Sequence, residues 1–318
     1  MGDGGGSSRS GLFYGIAAYG LWGVMPIYFR AVDGVSPEEL LAHRIVWCFL
    51  LLVATLTAFR RWGEFLAIFR RPRTLLLLVV SAHLVAANWL IYIYGVSNKD
   101  VVQTTLGYFI NPLFSVLLGL VVFRERLRPP QWLAIALATA GVGFFIAMVA
   151  GFPWIALGVA FSFGLYGLVR KMTPVDGLIG LTVESLVLTP VAASCLIWWG
   201  ENGALKFGTE TRTLDVLLLA SGAITALPLI CFGQAARRLP LSTLGFLQYM
   251  APTLQFFIAV LLFHESFMWE KQVSFALVWL ALIVLTVDSV LHSRRPPSRV
   301  EESRPAAVEQ PRAIACTD

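Results

Sequence analysis

Runs of roughly twenty apolar residues, separated by short polar segments, recur along this chain. They lie near 11–29, 38–59, 74–94, 101–123, 131–149, 153–170, 178–199, 214–236, 241–263 and 272–291. An apolar helix needs about 20 residues to cross about 30 Å of hydrocarbon, so each run predicts a membrane-spanning helix. The expected fold class is therefore all-α and integral to a membrane, with ten transmembrane helices. The opening segment, MGDGGGSSRS (1–10), is small and polar and makes a poor signal-peptide n-region, so the first span is expected to be kept. From 292 the chain turns to RRPPSRVEESRPAAVEQPR, which is too poor in apolar residues to build a core and predicts a disordered tail.

The apolar runs repeat. The fourth contains TLGYFINPLFSVLLGLVVFRE (105–125) and the ninth TLGFLQYMAPTLQFFIAVLLFHE (243–265), so that Pro112, Phe123 and Glu125 match Pro252, Phe263 and Glu265 at an offset of 140. Gly20-Leu21-Trp22-Gly23 in span one likewise resembles Gly164-Leu165-Tyr166-Gly167 in span six. Two halves of five spans follow, 11–150 and 151–291. Because five is odd, the second half enters the membrane from the opposite side, an inverted repeat of the kind secondary transporters build around a central site. The loop charges swap accordingly. Arg124, Arg126 and Arg128 follow span four, whereas the segment after span nine has Lys271; Lys99 follows span three, whereas Arg237 and Arg238 follow span eight.

Composition sharpens the class. Apolar residues make up 57% and charged residues 14%, against roughly 25% charged in a soluble domain, and mean hydropathy is +0.74. A net charge of +5 raises nucleic acid as a partner, but the cations fall in small groups between spans, the pattern of topology signals. With the N-terminus in the cytoplasm, 18 Lys and Arg lie on the inner side and 5 on the outer side. The expectation is a multi-pass protein of a bacterial-type inner (plasma) membrane with both termini cytoplasmic. Cys48, Cys195, Cys231 and Cys316 form no C-x-x-C pair or regular spacing, so no metal site or disulfide framework is expected. No cofactor is expected either.

The stretches YGLWGVMPIYFR (19–30), EELLAHRIVW (38–47), LGYFINP (106–112), AFSFGLYGLVRK (160–171) and LSTLGFLQYMAPT (241–253) resemble the RarD branch of the EamA, or drug/metabolite transporter, superfamily, in the family's order and over nearly the whole span region. The resemblance implies a ten-helix inner-membrane transporter built from two EamA-like repeats. Members often carry the label of chloramphenicol-sensitivity proteins. The chain departs from the pattern at Gln103, where the family usually has a glutamate, so no proton role is expected for a carboxylate there.

Several residues stand where transport needs them. Pro112 and Pro252 lie mid-span, and each frees the carbonyl four residues earlier, on Tyr108 and Gln248. Either neighbouring helices relieve these kinks or two broken helices line the site. Asn111, Tyr108, Gln248, Tyr249 and Gln255 lie close by as candidate contacts for a polar solute. Arg44 and Glu184 are charges well inside spans two and seven, again 140 residues apart, and such charges cost at least ~2.5 kcal/mol to insert. Arg44 either snorkels to the outer interface or recognises an anion or forms an outer gate. Glu184 either pairs with Arg170 or Lys171 or is the proton-coupling carboxylate. Trp22, too deep for an interfacial belt, is core packing or an aromatic cavity wall.

The expected function is a secondary transporter that moves a small solute, metabolite or drug-like, by alternating access, with protons as the candidate coupling ion. A passive channel or facilitator is the alternative. A membrane-embedded enzyme is the third reading, against which stand only four histidines and no H-E-x-x-H or G-x-S-x-G motif. No G-x-x-x-x-G-K-[ST] loop is present.

Overall fold

The computed structural model describes residues 4–98, 101–148, 151–264 and 269–293, and among them there is no strand. Span one is α1 (Gly4–Gly23) followed by α2 (Met25–Ala31); spans two to five are α3 (Pro37–Ala58), α5 (Pro72–Ser97), α6 (Val101–Val122) and α7 (Pro129–Met148). Spans six to eight are α8 (Trp154–Met172), α9 (Gly177–Glu201) and α10 (Arg212–Arg238); span nine is α11 (Leu241–Gln248), α12 (Met250–Phe257) and a π-helical turn (Ile258–Leu262). The tenth is α13 (Trp269–Ser293), with an apolar stretch of Gln272–Asp288. Nine helical stretches among the described residues are long and apolar enough to cross a membrane, and the apolar part of α13 is shorter. A short helix, α4 (Trp62–Ile68), lies between α3 and α5, where the apolar pattern predicted only a loop. Glu265, Lys99, Cys316 and the tail beyond Ser293 lie outside the described residues.

Local sequence explains the boundaries. Proline opens α3, α5 and α7 at a position where its missing N–H costs nothing. Ser36 caps α3 by accepting from the Glu39 N–H at 3.2 Å, and Asp176 caps α9 by accepting from the Leu178 N–H at 3.0 Å. These caps are 140 residues apart, as are Arg124 and His264, which end their helices in the left-handed region at φ 52° and 53°. The repeat is thus written into the backbone as well as into the side chains.

The two halves interlock. The main helix packings, α7 on α13, α6 on α8, α1 on α10, α5 on α8, α6 on α11 and α3 on α9, all join one half to the other. Their senses are opposed. Near the start of α3, Glu39 accepts from the Lys206 N–H at 2.8 Å, beyond the end of α9, while just past the end of α3, Arg61 meets Asp176 at the start of α9, at 3.1 Å. Equivalent helices therefore run antiparallel, and the fold is two inverted five-helix repeats. We call the face where α1 begins the near face and the other the far face. Two glycines permit the closest crossings: a Cβ on Gly222 would lie 2.6 Å from the Trp47 carbonyl oxygen, and one on Gly245 would lie 2.8 Å from that of Pro112.

Candidate functional site

Where α1, α2, α3, α5, α6, α8, α10, α11 and α12 converge, the packing leaves a cavity of about 340 Å³, within the size range of small-molecule sites. It occupies the half of the molecule toward the far face, since its wall takes in Met25, Pro26 and Phe29 near the end of span one and Trp89 and Tyr92 late in α5. Among the described residues that line it, Arg44 is the single charged one. It lies eight residues past the Ser36 cap, about 12 Å along the helix axis.

Arg44 is held by groups that leave its charge unneutralised. Its Nε donates to Thr225 Oγ1 at 3.0 Å, and its guanidinium carbon lies 5.4 Å from the Trp89 ring and 5.9 Å from that of Phe29, within reach of cation–π attraction. Among the described residues no carboxylate lies within 4.0 Å of it. Trp22 packs against Tyr19 and Phe163 at 5.5 and 5.6 Å, and Tyr92 packs against Tyr108 at 6.1 Å, giving the wall an aromatic surface. Gln255 Nε2 donates to the Trp22 carbonyl at 3.1 Å. Among the described residues, Asn111 Oδ1 and Gln248 Oε1 are buried on this wall outside hydrogen-bond geometry with any partner, although Tyr19 approaches Gln248. Buried polar atoms in native structures are normally paired, and these two leave acceptor capacity on the cavity wall.

The structure thus brings together Trp22, Arg44, Tyr108, Asn111, Gln248, Gln255 and Pro252 around one space. It separates the others. Tyr249 points away and donates to the Phe109 carbonyl at 3.2 Å. Pro112 sits inside an unbroken α6 and presents its carbonyl to the crossing at Gly245, whereas span nine does divide at Tyr249, three residues before Pro252. Glu184 lies toward the near face, where it accepts from Ser81, from Tyr166 at 3.4 Å and from Arg170 Nη1 at 3.3 Å. Asn88, Trp89, Tyr92, Phe163 and Thr225 also line the cavity. Asn88 and Tyr92 are four apart on α5, a spacing that puts both on one face and is the signal in the sequence that points to them.

Toward the near face, polar contacts tie helix ends of the two halves together. Glu125, at the end of span four, accepts from the Leu241 and Ser242 N–H groups at 2.6 and 2.9 Å and so caps α11. Asp176 receives Arg61 and, at 2.5 Å, the Gln234 amide. Burial pushes the Asp176 carboxyl up, but the Gln234 hydrogen bond and the Arg61 charge together outweigh it and hold the group below its ordinary range.

With this architecture on the page, the comparisons with known proteins decide the family. Residues 9–147 match the EamA-like transporter family. Protein RarD of Streptomyces exfoliatus is 42% identical over 306 residues, covering 95% of this chain and 96% of that relative. The chain belongs to the RarD branch of the EamA family. An uncharacterized transporter of Vibrio cholerae is 44% identical over 283 residues, covering 89% of this chain and 94% of its own length. Protein RarD of Escherichia coli is 41% identical over 288 residues, covering 91% and 97%. A crystal structure of a protein superposes with a TM-score of 0.68 at 19% identity, covering 89% of this chain and 99% of the other, and shows the shared fold. Family and helices together make this RarD-branch chain a multi-pass membrane transporter.

Proposed function

We propose that the chain is a secondary transporter carrying a small solute across the inner (plasma) membrane by alternating access, with the near face cytoplasmic. One observation carries the reading: a solute-sized cavity lies between two antiparallel halves, displaced toward the far face, while charged and polar contacts join the halves at the near face. Rocking one half against the other exchanges which face is closed. In this reading 11–150 and 151–291 are the two rocking units, and Arg44, Tyr108, Asn111, Gln248, Gln255 and Trp22 contact the solute. Tyr249 supports that wall from behind. Pro252 supplies the bend, and Glu184 is the candidate for proton coupling. The cation excess of the near-face segments, such as Arg60, Arg70 and Arg126, supports the orientation.

Reconstitution in proteoliposomes tests the reading. A thermal-shift screen of amino acids, amines, nucleosides and amphipathic drugs selects a solute. Unlabelled solute inside the vesicles is then expected to accelerate entry of labelled solute several-fold, with saturation. Non-saturable entry unaffected by the trans side identifies a pore instead and ends the alternating-access account. Glu184→Gln is expected to abolish the pH dependence of uptake; uptake that keeps its pH profile removes Glu184 from coupling.

A further inference from the structure

The segment that joins spans two and three on the near face has a counterpart 140 residues later on the far face, and the two differ in ways the fold alone does not require. Residues 60–73 hold five arginines and one glutamate, a net charge of +4; residues 200–213 hold one lysine, one arginine and two glutamates, a net charge of zero. Position by position, Arg61 and Arg70 stand where the far segment has Glu201 and Glu210, and Trp62 and Phe69 stand where it has Asn202 and Thr209. Only the near segment forms a separate helix, α4; residues 202–211 are turns and irregular chain.

Two apolar stripes run along α4. Phe65 and Ile68 are buried in the core, where α4 meets α9. Trp62, Leu66 and Phe69, at helical spacings of four and three, are 37%, 58% and 46% exposed. The Phe65 ring lies 5.6 Å from that of Trp62 and 5.4 Å from that of Phe69, so the buried ring fixes the two exposed ones. Phe59 at the end of α3 and Leu76 early in α5 are also exposed and border the stripe along the chain. An apolar stripe edged by arginines is the composition of a helix lying in the plane of a membrane surface. One of the arginines is already committed: Arg61 meets Glu64 at 2.6 Å and Asp176 at 3.1 Å. The other four, Arg60, Arg70, Arg71 and Arg73, are exposed, and among the described residues no carboxylate lies within 4.0 Å of them.

We propose that α4 and its flanking arginines form a binding surface for anionic phospholipids, with Trp62, Leu66 and Phe69 set among the upper acyl chains and Arg60, Arg70, Arg71 and Arg73 on the headgroup phosphates. A guanidinium offers phosphate a two-pronged set of donors, and basic clusters beside a span are drawn to an anionic leaflet. The exposed stripe selects a lipid over a soluble phosphate or an acidic protein, because it needs a hydrocarbon partner at the level where span two ends. Through Arg61 and Asp176 the surface is tied to the second half of the chain, so lipid bound to α4 also braces that contact. The inference stands on the placement of the helices in a membrane and goes beyond the alternating-access reading without depending on it.

The test uses the full chain in phosphatidylcholine bilayers, with a fluorophore on Leu66→Cys in a background where Cys48, Cys195, Cys231 and Cys316 are replaced. Phosphatidylglycerol or phosphatidylcholine bearing a nitroxide near the top of the acyl chain is added at equal mole fraction. Both are expected to quench, phosphatidylglycerol about twofold more strongly. The same fluorophore on Lys206→Cys, the equivalent far-face position, is expected to show no preference between them. Arg70→Gln, Arg71→Gln and Arg73→Gln together are expected to erase the preference at Leu66→Cys, and the three corresponding lysine substitutions to keep it. Each comparison is made between two lipids within one variant and so does not depend on how stable that variant is. In detergent, phosphatidylglycerol is expected to raise the wild-type melting temperature more than phosphatidylcholine does, and glycerol phosphate to leave it unchanged. Absence of quenching by either lipid places α4 away from the bilayer and overturns the surface, leaving the arginines to a soluble acidic partner. Equal quenching by the two lipids, an equal preference at Lys206→Cys, or a preference that survives the triple glutamine variant overturns the selection of anionic headgroups by these arginines. A rise with glycerol phosphate that matches the one with phosphatidylglycerol replaces the lipid with a soluble phosphate and overturns the proposal.

Discussion

At the scale of single residues, the arrangement turns on which charges have partners. Arg170 and Glu184 are each 1% exposed and depend on one another, and Arg170 keeps two further nitrogens buried without acceptors among the described residues. Removing one member of such a pair costs about 3–5 kcal/mol, whereas replacing both with apolar groups is close to neutral. Glu184→Gln is therefore expected to lower the melting temperature in detergent, and the double variant Arg170→Met with Glu184→Met to recover most of the loss. Asp176 gives a pH-dependent counterpart. Its carboxyl is held below the ordinary range, so its stabilisation is fully present above the unfolded value of about 4 and is lost as pH falls through the lower folded value. Asp176→Asn keeps an N-cap and is expected to lose that acid-limb dependence in thermal unfolding between pH 3 and 5; Asp176→Ala is expected to lose about 1 kcal/mol more through the missing cap. Among the cavity residues, polar side chains beside prolines and a charge deep in a span were legible, because both are rare in hydrocarbon and demand an explanation. Trp89 and Phe163 were not, because an aromatic residue in a helix that is apolar all round carries no mark of which side it faces.

Between residues and the whole lie the helices. Two prolines at matching positions left open either two relieved kinks or two matching breaks, and of the two spans that carry them only span nine divides. The difference is one of surroundings. Around Pro112 the carbonyl side is pressed against Gly245 of the crossing helix, which holds α6 continuous, while Pro252 faces the cavity and has room to bend. The π-helical turn that follows, closed by the Phe263 N–H on the Ile258 carbonyl at 3.0 Å, absorbs the change in register, a feature that often accompanies functional sites. Pro252→Ala restores a donor for the Gln248 carbonyl and is expected to leave the melting temperature equal or higher while slowing counterflow about tenfold. The same change at Pro112 is expected to alter exchange by less than twofold. Gly245→Ala is expected to destabilise by at least ~1 kcal/mol, because its Cβ meets backbone that does not yield. Helix number and rough extent were readable from apolar length alone, since bilayer thickness sets it. The division of span one near Gly23 and the short α4 were not, because neither interrupts the apolar pattern strongly enough to register.

For the whole molecule, the deciding property is that the halves are antiparallel, and this was legible because an offset of 140 with five spans per half admits no other threading. How they interlock was not: the sequence repeats say which helices are equivalent, but not that almost every large interface joins one half to the other. Interlocking has a consequence for topology that can be measured. If the Glu39–Lys206 contact and the Arg61–Asp176 pair close opposite ends of the α3–α9 pair, the exposed residues flanking them must reach opposite aqueous sides. Asp33 and Asn202 belong to the far face, and Arg60 and Arg126 to the near face. Single cysteines at these four positions, in a background where Cys48, Cys195, Cys231 and Cys316 are replaced, are expected to divide two and two toward a membrane-impermeant maleimide. In intact cells Asp33→Cys and Asn202→Cys react while Arg60→Cys and Arg126→Cys react only after lysis. Labelling of Asp33→Cys and Arg126→Cys from the same side would show spans one to four threaded otherwise than here. Labelling of Arg60→Cys and Asn202→Cys from the same side would show that equivalent loops share a face, leaving no inverted repeat and no route by which one rocking motion could open the two faces in turn.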